Sequence, residues 1–547
     1  MPDSPSTGAQ PHGARTPGLY HGTWWGQHKD EWDPLKDDRS GTVAAGRFIR
    51  LLQKGRAQFA HRDLKKLAHA MTSEPEAAPT PEGKPDPEED PEITAAYTYL
   101  GQFTDHDLTF DPTSSLREAL TEQELDVLAD FRTPCFDLDN LYGRGPDDQP
   151  YMYKPDKIHM LLGEPLSGNP FDPEARDLPR GPNHRALIGD PRNDENRIVA
   201  QLHAIFLRFH NKVADYLARP DHLGRTLTFE DVRQQVRWHY QWVLVTDFLR
   251  RIINDDTYQR VFADPYHPTP TLPGLRDGLR LMPVEFSVAA FRFGHSMIRP
   301  EYRLNTTVER RPIFLPDHDG GRADDAADLG GFRPIPSDWA IDWQFFIDLR
   351  PGARPAALKP LHEPIKREPQ KAYKIDTSLV SPLGDLPREI ASHPKVLALR
   401  NLERGAAFSL PTGQQVARAL DEKPIPDDKL VIGKATAEDR DKLQLLTDIA
   451  PGFADRAPLW AYILSEAQVT SWDRAGNGAS PDSIPIKLGP VGGRIVADVF
   501  AALLRGDPTS YLNQDAPFTP IPDFTRGEKF GLAELINVAL RPTQKDR

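Results

Sequence analysis

Residues 191–217, PRNDENRIVAQLHAIFLRFHNKVADYL, constrain the fold more than any other stretch. Ile198, Leu202, Ile205, Phe206, Phe209 and Val213 recur at helical spacing and draw a broad apolar stripe that other elements must cover. With Pro191 in its first turn, the pattern predicts one continuous helix over 191–217. A second helix is predicted from Ile93, where Ala96, Leu100 and Phe103 repeat the spacing, and others over 229–254, 284–298, 412–421, 458–467 and 493–504. Alternating strand patterns are scarce and no internal repeat is present. The chain therefore reads as mostly α, one large helical domain with long loops and little β.

Residues 1–45 are rich in Gly, Pro and charge, and the segment SEPEAAPTPEGKPDPEEDPE at 73–92 has almost nothing to bury and reads as a mobile loop. The expected organisation is an N-terminal arm with the acidic Pro-rich loop over 1–92, a catalytic body over 93–510, and a C-terminal extension over 511–547 packed on it.

Net charge is −13 with no basic block, which argues against nucleic acid or an anionic membrane as partner and favours a small or neutral one. The single cysteine, Cys135, excludes an intramolecular disulfide and a thiolate metal cluster, leaving oxygen and nitrogen ligands for any metal. No apolar run approaches the roughly 18 residues of a membrane span, and the first twenty residues hold no recognisable signal peptide. A soluble chain is expected; its compartment and oligomeric state are unknown, and export by a non-classical route stays open.

The stretch LGQFTDHDLTFDP at 100–112 sets His106 between Asp105 and Asp107, with Gln102, Asp105 and His106 on one helix face. Alone, the triplet reads equally well as a charged turn, or as part of a divalent-metal phosphohydrolase site drawing on His61 or His69. Other stretches change that balance. GDPRNDEN spaces Arg192 and Glu195 three residues apart, so both can point the same way. AAFRFGHSMIRP puts His295 in an apolar helical stretch beside Arg292, and LALRNLERG supplies Asn401 with Arg404 one turn on. TPCFDLDNLYG at 133–143 is by itself an Asx-rich turn.

In type, spacing and chain order these five stretches resemble the animal-type haem peroxidases of the peroxidase–cyclooxygenase superfamily, in a bacterial-type form, over roughly residues 93–505. The resemblance implies a helical haem-peroxidase domain that binds haem b, reduces hydrogen peroxide and oxidises a small organic donor or a (pseudo)halide. It implies His106 as the distal base, Arg192 as the cation that stabilises O–O heterolysis, and Gln102 as holder of a distal water or halide. It also implies His295 as iron ligand with Asn401 on its other ring nitrogen, and Arg292 and Arg404 near the haem propionates. Asp105 and Glu195 match carboxylates that become ester-linked to haem methyls. Thr133, Asp137 and Asp139 by side chain, Cys135 by its carbonyl, and Asp107 match a Ca²⁺ site. His203 and His210 also match family positions and read as structural, alongside Asn211.

Two departures matter. The family's Arg-Asp-His-Gly after the proximal Asn is here Ala406, Ala407, Phe408 and Ser409, and the Met after the haem-linked Glu, found in chloride-oxidising members, is here Asn196. A fatty-acid dioxygenase is the alternative within the fold, but its tyrosine three residues before the proximal His is here Arg292. An adhesion protein without turnover is the other alternative, prompted by Arg505-Gly506-Asp507, which reads more simply as a helix end.

Overall fold

The helices that position the site are α1 (His61–Ala70), α2 (Ala95–Leu108), α3 (Arg197–Leu217), α4 (Phe229–Val243), α5 (Leu397–Ala407), α6 (Leu459–Ala475) and α7 (Pro490–Gly506). The structure is a computed structural model that describes residues 48–52, 55–75, 86–109, 132, 134–222, 224–272, 275, 281–317, 327–349, 369–391, 393–476 and 478–542. The arm at 1–45 lies outside the described residues, as do Thr133 and residues 76–85 of the acidic loop.

The apolar stripe of α3 is covered as its spacing requires: its six residues are each at most 2% exposed. The helix packs between α2 and α4, with Phe206 stacked on Phe103 of α2 at 4.5 Å. Among the described residues, β structure amounts to four two-stranded ribbons and isolated bridges, so the mostly α reading holds. No described helix is long and apolar enough to cross a membrane.

Three boundaries differ from the sequence reading. The long helix begins at Arg197, not Pro191, and residues 191–194 form a separate 3₁₀ turn. The cause is pairing with a distant segment: Phe332 N–H donates to Asp194 O, Gly331 N–H to Glu195 O, and Arg197 N–H to Leu329 O. Gly331 is required there, because a Cβ would collide with the Asp194 carbonyl. The stretch 284–298 is likewise broken, into Val284–Ser287 and the 3₁₀ turn Ala290–His295, with Arg292 Nε–H donating to Ser287 O at 3.0 Å. The core also begins before Ile93. Helix α1 buries Leu64 and Leu67 against α5, and Glu89–Thr94, which begins inside the segment read as loop, is a strand paired antiparallel with Lys371–Tyr373. Backbone pairing needs no apolar side chains, so an acidic Pro-rich segment supports it unannounced.

Candidate active site

Helix α2 and the Ala290–His295 turn pack together, and a cavity opens between them. Gln102, Asp105 and His106 line it from α2, and Glu195 from the start of α3; Arg292 and His295 line the other wall. Tyr97, Tyr99, Phe248, Phe291, Phe293, Met297 and Ile298 make the rest largely apolar and aromatic. An apolar cavity between two histidines fits a flat macrocycle with an iron at its centre.

His106 is 5% exposed and its Nδ1–H donates to Asn193 Oδ1 at 2.8 Å. A carbonyl oxygen only accepts, so this contact fixes the tautomer and leaves Nε2 as the bare nitrogen. Asn193 is itself anchored, its Nδ2 donating to His203 Nδ1 at 3.1 Å. His203 therefore has a role beyond packing: it holds the residue that aims His106. Burial pushes His106 down to about 3, the Arg192 guanidinium adding to the effect and Asp190 and Asn193 opposing it, so the ring stays neutral.

Arg192 is placed differently from the sequence expectation. It does not line the cavity; its guanidinium is clamped by Asp190, with Nη2 2.8 Å from Oδ2, and also donates to the carbonyls of Thr109 at 2.6 Å and His106 at 3.2 Å. Burial opposes ionisation of Asp190, but the guanidiniums of Arg192 and Arg132 hold it well below the usual carboxylate range. Gln102 Nε2–H donates to Glu195 and its Oε1 accepts from Asn196 Nδ2 at 3.1 Å, linking α2 to the start of α3. Burial raises Glu195 to about 7 against the pull of Arg192, and raises Asp105 against Arg292 and Arg192.

On the other wall the Asn401 amide meets His295 Nδ1 at 2.8 Å. As placed, Asn401 Nδ2–H donates to Nδ1 while Oδ1 faces Arg292; a metal on Nε2 would need the amide turned over, so that Oδ1 accepts from an Nδ1–H. Burial pushes His295 down to about 3, with Arg292 adding to it, so its ring stays neutral. Arg292 sits beside this pair, 3.5 Å from Asn401 Oδ1. Arg404 does not line the cavity: its guanidinium stacks over the Phe408 ring at 5.1 Å. His210 is structural, held by Tyr142 at 3.0 Å and Ile158 O at 2.8 Å, and Asn211 pairs with the Met160 backbone.

Directly after His106, Asp107 meets Asp137 and Asp139 with ligand oxygens within 4.8 Å of one another. Both Asp107 oxygens are buried without a hydrogen-bond partner, as is Asp139 Oδ2. Burial pushes Asp107 well above the usual range and Asp137 adds to it; Asp139 rises for the same first reason, against the pull of Arg132. Orphaned carboxylate oxygens in one buried spot fit a hard cation such as Ca²⁺. Cys135 is buried. Arg132 joins this cluster to the cavity: it donates to Asp139 Oδ1 at 2.8 Å and to Asp190, the residue that clamps Arg192.

Sequence reasoning missed Asn193, Asp190 and Arg132. Asp190 had a signal, standing two residues before Arg192 at a helix start; Asn193 meets His106, and Arg132 meets Asp190, across long stretches of sequence and neither contact had one.

Residues 129–319 match the family model for animal haem peroxidases. Over that segment, about a third of its length, the chain is similar to the animal haem peroxidases. The matched segment holds Arg192, Glu195, Arg292, His295 and the Asp137–Asp139 turn, while His106 and Asn401 fall outside it. Mouse (Mus musculus) thyroid peroxidase is 31% identical over 129 residues, 22% of this chain and only 13% of the mouse protein. Among solved structures, peroxidase A of Dictyostelium discoideum superposes with a TM-score of 0.51 at 15% identity, covering 92% of this chain and 95% of that one. A fatty acid alpha-dioxygenase of Oryza sativa superposes with a TM-score of 0.52 at 14% identity, covering 89% and 78%. At those identities the structural likeness shows the fold, which peroxidase and dioxygenase share.

Proposed function

We propose that this chain is a haem-dependent peroxidase that reduces hydrogen peroxide and oxidises small organic donors or (pseudo)halides such as phenols, iodide, bromide and thiocyanate. The observation that carries the reading is that His106 and His295 line one cavity, each with Nδ1 engaged by an asparagine. Haem bound there through His295 supplies the redox partner that lets the peroxide O–O bond break.

The chain's own residues then have separate tasks. His106 Nε2 takes the proton from one peroxide oxygen and returns it to the other, which makes the departing group water. Asn193 keeps that nitrogen bare and aimed. Arg192, held against the His106 and Thr109 carbonyls, supplies positive charge to the departing oxygen from behind the cavity wall. Gln102 orders the polar end of the cavity, Arg292 pairs with an anionic group on the cofactor rim, and the apolar wall excludes bulk water. Asp105 and Glu195, the cavity's buried carboxylates, would lose their desolvation penalty as esters of haem methyl groups. Asp107, Asp137 and Asp139, with Thr133 and the Cys135 carbonyl, would hold Ca²⁺ and thereby stiffen the end of α2 that carries His106.

Arg292 on the cavity wall weighs against the dioxygenase reading, which needs a tyrosine there. Asp507 weighs against integrin-type adhesion: it is 4% exposed and its carboxylate accepts from Thr509 N–H and Oγ1–H. The deciding experiment is the absorption spectrum of the purified chain before and after hydrogen peroxide. A Soret band of histidine-ligated ferric haem that shifts on peroxide addition is expected; a chain that takes up no haem refutes the proposal.

A further inference from the structure

Where α4 would run on into Leu249–Ile252, a single π-helical turn, Leu244–Phe248, interrupts it. The widened turn sends Phe248 to the cavity wall and places Asp247 against Tyr97. Such turns recur where a helix must present a side chain that regular geometry would misplace. Tyr97 lines the same cavity as His106 and His295, and is 2% exposed. Its hydroxyl donates to Asp247 Oδ2 at 2.7 Å, and that oxygen also accepts from Leu532 N–H at 3.0 Å. The Arg251 guanidinium lies 4.4 Å from the Tyr97 ring centroid and donates to Asp247 Oδ1 at 2.8 Å. Arg251 is 38% exposed by side chain and Asp247 16%, so one end of this triad faces the cavity and the other reaches solvent.

A phenol loses an electron readily only if its proton leaves at the same time, and a carboxylate already hydrogen-bonded to the hydroxyl provides the shortest path for it. Tyr99 makes the contrast: it lines the cavity too, but its buried hydroxyl faces Tyr302 rather than a carboxylate. The peroxidase function proposed above does not use Tyr97, Asp247 or Arg251.

We propose that Tyr97 is a redox-active tyrosine, with Asp247 as its proton acceptor, through which donors too large for the cavity are oxidised at the Arg251 surface. This rests on the peroxidase reading, since peroxide-oxidised haem is the oxidant. One electron passes from the phenol of Tyr97 to the oxidised haem, the phenolic O–H bond breaks, and its proton moves to Asp247 Oδ2. A bulky phenolic donor at the surface then returns one electron to the phenoxyl oxygen. The proton comes back from Asp247, and the donor leaves as its own radical after releasing a proton to solvent. Burial first and the Asp247 carboxylate second hold the Tyr97 phenol well above its usual range, so it is a hydrogen-bond donor, never a phenolate, before oxidation.

The test uses the haem-loaded enzyme, hydrogen peroxide and a nitroso spin trap, with peptide mass spectrometry locating the adduct. Freeze-quench electron paramagnetic resonance on protein carrying ring-deuterated tyrosine runs in parallel. Expected are an adduct on Tyr97, a tyrosyl signal that narrows on deuteration, and loss of both in Tyr97→Phe. Asp247→Asn, which keeps the tyrosine, should lower the radical yield at least several-fold. Adducts on other residues with none on Tyr97, or an unchanged yield in Asp247→Asn, overturn the proposal. The two readings fail separately: a chain without haem or without peroxide consumption sinks the peroxidase reading and this one with it. Haem that consumes peroxide while Tyr97 stays unlabelled sinks this one alone.

Discussion

The two walls of the cavity hold their histidines in unequal ways. His106 is fixed by a chain of contacts: Asn193 binds its ring, His203 binds Asn193, and the carboxylate cluster begins at the next residue. His295 sits in a short 3₁₀ turn and rests on the Asn401 amide. The difference matches the roles proposed for the two rings. An iron ligand is held by the bond it forms, so the protein need only set its tautomer. A base has no such bond and must be aimed by the protein before peroxide arrives. The comparison can be broken by experiments on either wall.

The largest effect should come from removing the rings themselves. His295→Ala is expected to lose haem or hold it weakly, read as loss of the Soret band after gel filtration. His106→Ala should keep haem and react with peroxide about 10²–10⁴-fold more slowly, the usual worth of a positioned acid–base group. Stopped-flow absorbance separates the two, and an unimpaired rate in His106→Ala would remove that residue from the mechanism.

Next in size is the cation. One tightly bound Ca²⁺ per chain is expected by elemental analysis, because three carboxylates within 4.8 Å with orphaned oxygens repel one another unless bridged. Asp137→Ala should release the calcium, lower the melting temperature and weaken haem retention. Arg132 should carry the loss onward, since it joins Asp139 to Asp190. Active protein free of calcium would show that the distal wall is held by its hydrogen bonds alone.

Much of this wall was legible because helical spacing is a local rule. Gln102, Asp105 and His106 share a face at i, i+3 and i+4, and the structure brings all three to the cavity with Glu195. The long helix and its buried stripe were legible for the same reason. Its start was not: Asn196 ends the turn because residues 329–332 pair with the backbone there, and no local pattern encodes a partner more than a hundred residues away. Asn193 was invisible likewise, meeting His106 across 87 positions. Arg404 was assigned to the cofactor rim by family position, yet Phe408, part of the departure from the family's Arg-Asp-His-Gly, offers its guanidinium a ring instead.

A middle-sized effect should set the two asparagines apart. Asn193→Ala frees the His106 ring to rotate and to take the wrong tautomer, and should slow the peroxide reaction about 10–100-fold, in the range of ligand-orienting partners generally. Asn401→Ala should slow it less, because the iron bond still holds His295, and should instead shift the iron reduction potential. Equal rate losses in the two variants would mean that the walls are not organised differently after all.

The buried carboxylates give a smaller, chemical readout. Asp105 and Glu195 are both raised by burial, so their conversion to neutral esters removes an electrostatic cost. Part of the haem should resist acid–acetone extraction, more so after peroxide treatment, with mass-spectrometric adducts on the peptides containing Asp105 and Glu195. Free extraction of all the haem after turnover would leave both as hydrogen-bonding groups only.

The smallest effect is at Asn196, where a chloride-oxidising relative would carry methionine. Poor hypochlorous acid production at neutral pH is expected, because no sulfonium link can draw electrons from the haem. Asn196→Met would not simply supply one. The Asn196 side chain caps α3, its Oδ1 accepting from Ile198 N–H and Val199 N–H at 3.1 and 2.9 Å, while its Nδ2 donates to Gln102. Losing the cap should cost about 1 kcal/mol. Gln102 Oε1 would also lose its donor, loosening the polar end of the distal wall. The variant is therefore expected to melt a few degrees lower and to react with peroxide no faster, with chloride oxidation still poor. Efficient chloride oxidation by the unaltered chain would show that the distal network itself, without a sulfonium bond, raises the oxidising power of the haem.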